Sequence, residues 1–163
     1  MINLKKPLFF FAVILFSLAG KAQIKFGFDA PEISLPSVNG DTLRLSSLKG
    51  KIVLLDFWAS WCGPCRATNK KLVKLYPKFK DKGFEIFGVS FDENSQNWKK
   101  AVQKDKITWP QVHDGGGWDA PTAISWQVEV IPTSYLINKE GKLIAMDLDT
   151  KELEKVLKEI LAD

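Results

Sequence analysis

Ile52 to Trp58 is apolar at every position but one, the pattern of a strand covered on both faces. Beyond it the period changes to that of a helix: Leu72, Leu75, Tyr76 and Phe79 repeat at i, i+3, i+4 and i+7, a stripe fit to pack on a sheet. This helix is expected to open at the cysteines, to kink at Pro77 and to end at Gly83. Phe84 to Phe91 reads as a second strand. Ser95 is the expected cap of a helix with Trp98, Ala101 and Val102 on one side, followed by an extended segment from Ile107 to Val112. Asp114-Gly115-Gly116-Gly117-Trp118 reads as a loop with a flexible tip, and Ala120 to Trp126 as a short helix. Thr133 to Ile137 and Lys142 to Met146, joined at Lys139-Glu140-Gly141, predict a hairpin. Leu153, Val156, Leu157, Ile160 and Leu161 stripe a last helix, and Asn39-Gly40 between short alternating runs predicts a further hairpin near the start.

Composition fits one compact domain, with 45% hydrophobic and 26% charged residues and neither repeats nor low-complexity tracts. The N-terminus differs in kind. Lys5 and Lys6 precede an apolar stretch from Leu8 to Ala19, and Gly20-Lys21-Ala22 puts small residues at the −3 and −1 positions. Residues 1–22 therefore read as a signal peptide cut after Ala22, residues 23–163 as the domain, and the destination as periplasmic or otherwise extracytoplasmic. The stretch is shorter than the ~20 residues of a spanning helix; an uncleaved membrane anchor is the alternative, and no cysteine follows to carry a lipid. Of the 23 basic residues, Lys5, Lys6 and Lys21 fall in this leader with none of the 19 acidic ones, so the remaining 20 leave a net charge of +1. Such a domain has no global field for nucleic acid, and Lys70, Lys71, Lys78, Lys80 and Lys82 read as the solvated face of a helix.

The chain has two cysteines, both in Trp61-Cys62-Gly63-Pro64-Cys65 at the switch from strand to helix. Two intervening residues at a helix start let the sulfurs close a small ring, the first exposed and the second tucked beneath it. Cys62 lies at the positive end of the helix dipole, which favours a thiolate and makes it the expected nucleophile. Cys65 would resolve the mixed disulfide, and its proton needs an acceptor. Asp56, the polar exception in the buried strand, is the candidate, since burial raises a carboxyl pKa toward neutrality. A structural Asp satisfied by backbone amides or a lysine is the equal alternative at this point.

The run of strand, Asp56, Phe57-Trp58-Ala59 and then Trp61-Cys62-Gly63-Pro64-Cys65 resembles thioredoxin, in which a buried acid stands at the position of Asp56. Ile131-Pro132-Thr133 resembles the proline loop of that fold, which implies a cis peptide facing the cysteines and a substrate surface formed by Trp61, Gly63, Pro64, Ile131 and Pro132. Nearly the whole chain after the leader is similar to secreted bacterial thiol-disulfide oxidoreductases of the TlpA/ResA type. Ala30-Pro31-Glu32-Ile33-Ser34-Leu35, Asn39-Gly40-Asp41 and Leu45 to Lys51 match the extension before the first core strand. Thr68 stands where many such relatives have Glu, and Asp56 where many have Asn, so a thioredoxin-like proton relay is expected. Gly88 replaces a lysine found near the buried acid of thioredoxin, which would leave Asp56 without a counter-charge. The resemblance implies an α/β thioredoxin fold with a central mixed sheet flanked by helices, an N-terminal β-hairpin extension and an insert before the cis-proline loop. Trp109, Trp118 and Trp126 fall in that insert and read as core, the alternative being a groove beside the thiols. It also implies an exported monomeric reductant of disulfides in extracytoplasmic proteins, apocytochrome c among them, re-reduced by a membrane electron-transfer protein and needing no cofactor.

Rival chemistries fit less well. Zinc needs about four ligands, and two cysteines plus the distant His113 do not supply them. His113 reads as a loop residue near Asp114, and the glycine triplet lacks the Lys-Ser/Thr of a phosphate loop. A static disulfide over two residues constrains little chain. A thiol peroxidase of the peroxiredoxin type carries Thr three residues before its attacking Cys, where this chain has Ala59. A non-enzymatic adaptor whose disulfide switches its affinity is the remaining alternative.

Overall fold

The computed structural model describes residues 24–162, so the leader expected over residues 1–22 lies outside the described residues. A short antiparallel hairpin, β1 (Ser34–Pro36) and β2 (Thr42–Arg44), precedes the main sheet. Its turn is closed by Ser37 N–H donating to Asp41 O (2.7 Å), with Gly40 at a φ of 94°, as Asn39-Gly40 predicts.

The main sheet has the order β5-β4-β3-β6-β7. Its parallel half is β3 (Ile52–Trp58), β4 (Phe84–Ser90) and β5 (Gln111–His113), and its antiparallel half adds β6 (Thr133–Ile137) and β7 (Leu143–Met146). All seven residues of both β3 and β4 are buried, which is why these strands read as near-continuous apolar runs. Helices α1 (Gly63–Phe79) and α2 (Ser95–Asp105) form the two parallel crossovers, α3 (Pro121–Ser125) lies in the insert, and α4 (Thr150–Ile160) closes the chain. This five-stranded mixed sheet flanked by helices is the thioredoxin-like fold.

Helix α1 buries Cys65, Asn69, Leu72, Leu75, Tyr76 and Phe79, so the stripe on the sheet begins at the second cysteine. It runs through Pro77 and stops two residues later; a 3-10 turn over Lys80–Lys82 then ends at Gly83, in the left-handed region at φ 93°. Helix α4 opens with a capping box, Asp149 accepting from the Glu152 backbone N–H and the Glu152 side chain from Asp149 N–H.

Several expectations are corrected. The cap of α2 is Asn94 rather than Ser95, because the Asn94 side chain accepts from both Gln96 N–H and Asn97 N–H. The extended segment begins at Gln111, not Ile107, because Ile107 N–H is taken by Val102 O at the end of α2. The second strand ends at Ser90, one residue short of Phe91. His113 is the last residue of β5, not a loop residue; its ring stacks on Trp98 with centroids 5.1 Å apart, and Nε2 lies 2.6 Å from Asp92 O. Within the glycine triplet, a Cβ on Gly116 would meet Ala120 Cα at 2.9 Å, while Gly115 and Gly117 stand in the left-handed region at φ 79° and 57°, so close approach explains one glycine and backbone conformation the other two.

Candidate functional site

Strand β3 delivers the chain to the cysteines at its C-terminal end, where open α/β sheets place their sites. Cys62 is the N-cap of α1 and is bonded to Cys65 in a disulfide. The Cys65 N–H donates to Cys62 Sγ at 3.1 Å, and Pro64 in the first turn removes an amide that would have no partner there. An N–H donor aimed at the sulfur from a helix start is the arrangement that stabilises a thiolate when the bridge opens. Contrary to expectation, Cys62 is not openly exposed: it is 5% accessible in the bridged form against 1% for Cys65. Both sulfurs are committed to the ring, while Gly63 and Pro64 beside them are exposed.

The loop before Cys62 is held by a polar cluster that sequence reasoning missed. Asp92 is buried and accepts from Ser60 N–H (2.8 Å), from the Ser60 hydroxyl and from the Ser90 hydroxyl (2.8 Å). Arg66, one residue past Cys65, donates to Ser60 O (3.0 Å) and pairs with Asp105 of α2. Ser60 is thus gripped through both its N–H and its C=O, which fixes the chain two residues ahead of Cys62. The only signal for this in the sequence is the alternating polar pair Ser90 and Asp92 at the end of a strand beside β3.

Asp56 lies in the middle of the sheet, 3% accessible, opposite Gly88 of β4 and Ser134 of β6. Neither neighbour offers a counter-charge. Burial, with the Asp147 carboxylate as a second and smaller cause, pushes the Asp56 carboxyl up to about 7. Gly88 is dictated by packing. The Gln111 side chain crosses it to accept from Trp58 Nε1–H at 2.9 Å, and a Cβ on residue 88 would overlap Gln111, with Cδ at 2.6 Å. Any side chain here, a lysine included, would have to displace Gln111 from Trp58.

The Ile131–Pro132 peptide is cis. Thr133 pairs with Phe57, so continuing the antiparallel register sets Pro132 level with Trp58, at the end of β3 from which the cysteines follow. Pro132 also lines a cleft of about 250 Å³ together with Asp56, Thr68, Lys71, Ser134 and Asp147. Thr68 thus shares the cleft of the buried acid, from α1. The tryptophans divide: Trp109 and Trp126 are core, but Trp118 is 46% accessible, a correction to the reading of all three as buried. Its ring, carried on the 3-10 turn Gly117–Asp119, packs against Phe91 (centroids 5.5 Å apart) and Trp61 (centroids 6.4 Å apart). Trp61 itself is 58% accessible, so an aromatic ledge borders the cysteines. Among the described residues no group of three or more His, Cys, Asp or Glu side chains is placed to hold a metal ion, and no described helix is long and apolar enough to cross a membrane.

Comparison with known proteins agrees with this geometry. Residues 26–146 match the AhpC/TSA family. The thiol-disulfide oxidoreductase ResA of Bacillus thuringiensis (strain Al Hakam) is 37% identical over 145 residues, 87% of this chain and 82% of that protein. ResA of Bacillus subtilis (strain 168) is 36% identical over 77% of this chain and 69% of its own length. Among solved structures, the thioredoxin domain of a thiol-disulfide oxidoreductase from Bacteroides vulgatus superposes with a TM-score of 0.79 at 35% identity, covering 85% of this chain and 99% of that domain. A putative thiol:disulfide interchange protein DsbE from Chlorobium tepidum gives 0.75 at 32% identity over 86% of this chain and 98% of its own. A cysteine pair bridged at a helix start, a buried acid in the strand that leads to it and this degree of likeness lead to one conclusion: the chain belongs to the AhpC/TSA family and, within it, to the ResA-type thiol-disulfide oxidoreductases.

Proposed function

We propose that this oxidoreductase is exported through cleavage of residues 1–22 and works outside the cytoplasm as a reductant of protein disulfides. The observation that carries the reading is the Cys62–Cys65 bridge at the start of α1; a buried carboxyl of raised pKa, Asp56, in the strand that leads to it supports the reading. In the reduced protein, Cys62 thiolate attacks one sulfur of a substrate disulfide; the substrate's S–S bond breaks and its second sulfur leaves as a thiolate. Cys65 then gives its proton to Asp56 and attacks Cys62 Sγ, forming the bridge and releasing the other substrate sulfur as a thiolate. Two electrons have passed from the protein to the substrate. Because the compartment is oxidising, the bridge must be reopened by an electron donor, and a membrane reductase is the class that supplies one there. Trp61, Gly63, Pro64 and the Ile131–Pro132 edge form the surface that receives the substrate chain, and the exposed face of Trp118 extends it. Apocytochrome c, with paired haem-site thiols, is a substrate of the right chemistry.

Cys65→Ser tests this directly. It blocks resolution, so the variant should accumulate mixed disulfides with exported proteins through Cys62, visible as higher-mass bands that collapse on reduction. A Cys65→Ser protein that captures nothing, while wild type reduces no protein disulfide, contradicts the reading. A peroxidase reading attaches to the AhpC/TSA match, but the site has buried Ala59 in place of a hydroxyl-bearing Thr. Consumption of hydrogen peroxide by the dithiol at enzyme-like rates would reverse that preference.

A further inference from the structure

The cleft beside Asp56 carries more than the redox step uses. Its walls come from α1 (Thr68, Lys71), the cis-proline and β6 (Pro132, Ser134), and the turn between β7 and α4 (Asp147, Asp149). Asp147 is tied to the same rung of the sheet as Asp56. Ser134, the β6 partner of Asp56, donates its N–H to Asp147 Oδ1 (2.7 Å) and accepts Asp147 N–H on its carbonyl (2.8 Å). Asp147 sits in the left-handed region at φ 50°, so its carboxylate is fixed at that place by its own backbone and by Ser134.

We propose that Asp147 is a positioning residue for proton transfer: its fixed carboxylate, sharing the cleft with Asp56, sets how strongly Asp56 holds the proton received from Cys65, and the cleft is where that proton returns to water. The inference rests on the proposed role of Asp56 as proton acceptor. A negative charge held near a carboxylate disfavours the second negative charge, so Asp147 makes Asp56 the stronger base toward the Cys65 thiol. The other charged groups facing the cleft do less. Asp149 is occupied as the α4 cap and is partnered electrostatically by Lys71, while β4 contributes only Gly88. Because Asp147 is exposed, its influence should be screened by salt, whereas the burial of Asp56 is not.

The experiment is a carboxyl carbon NMR titration of Asp56 in the oxidised protein, at low and at high salt, in wild type, Asp147→Asn and Asp149→Asn, with Asp56→Asn assigning the signal. Asn suits φ 50° and keeps an oxygen for Ser134 N–H, so Asp147→Asn removes the charge alone. The expected result is an Asp56 midpoint shifted to lower pH in Asp147→Asn, with its sensitivity to salt lost, and a smaller shift in Asp149→Asn. The pH profile of mixed-disulfide resolution should move with the NMR midpoint. An unmoved Asp56 midpoint in Asp147→Asn, or an equal shift from Asp149→Asn, overturns the proposal. The NMR reading is independent of turnover: if Asp56→Asn fails to slow resolution, the acceptor role of Asp56 falls instead, whatever the titration shows.

Discussion

The Asp56→Asn substitution keeps the shape of the side chain and removes its ability to ionise. In the folded protein the Asp56 carboxyl titrates at about 7, against an ordinary value of 3.8. Between these two midpoints the folded state holds a proton that the unfolded chain has already released, so raising the pH weakens the folded state. The loss begins near the unfolded midpoint and is complete above the folded one. The gap of about three pH units, at 1.36 kcal/mol each, amounts to about 4 kcal/mol of instability carried by wild type in alkaline solution. Most of it, about 3 kcal/mol, develops between about pH 4.5 and about pH 8.5. Asn has no such term. Urea unfolding of oxidised wild type and Asp56→Asn at those two pH values should therefore show the variant gaining about 3 kcal/mol on wild type from the lower pH to the higher. Taking the difference between two pH values cancels any constant cost of burying an amide. Turnover near neutral pH should fall in the same variant, with mixed disulfide accumulating. A gain that is the same at both pH values would refute the reasoning, because it would mean that Asp56 titrates as an ordinary carboxyl; unchanged turnover would leave it a structural residue only.

Gly88→Ala should destabilise the protein by about 1–3 kcal/mol in denaturant unfolding, since the new Cβ displaces Gln111 from Trp58 Nε1–H, and the fluorescence of Trp58 should change with it. A variant of wild-type stability would show that Gln111 moves aside freely. Asp92→Ala strands the Ser60 N–H and two hydroxyls inside the protein and should cost about 3 kcal/mol, again read by unfolding, with faster hydrogen exchange at Ser60. No loss of stability would mean that water replaces the carboxylate without penalty.

Most of the frame was legible because it rests on local pattern. The unbroken apolar runs of β3 and β4, the stripe of α1 from Cys65 to Phe79 and the Asn39-Gly40 turn each carry their own signal within a few residues. What escaped depends on contacts between distant segments. Asp92 and Ser60 are 32 residues apart, Arg66 and Asp105 39, and Trp58 and Gln111 53, and no local period announces such pairs. Glu85 is a further instance: it is buried in β4 because Lys51 and the Tyr76 hydroxyl reach it from other elements. Asn94 displaced Ser95 as a cap by one position because both side chains can accept from the first turn and only the backbone decides between them. At the site, Asp56 and the cysteines stood out by residue type and spacing. The burial of Cys62 and the openness of Trp118 did not, since the first shows only with the Cys62–Cys65 ring closed and the second depends on how the insert meets Trp61 and Phe91.

The central claim is that Cys62 and Cys65 form a reversible dithiol poised to reduce. Equilibrating the protein in thiol redox buffers and following the fluorescence of Trp58 and Trp61 measures it most directly. The account predicts a single two-electron transition at a potential around the thioredoxin figure of about −270 mV, absent from Cys62→Ser and Cys65→Ser. A potential near the roughly −120 mV of the oxidant DsbA, or no reversible transition, would contradict it.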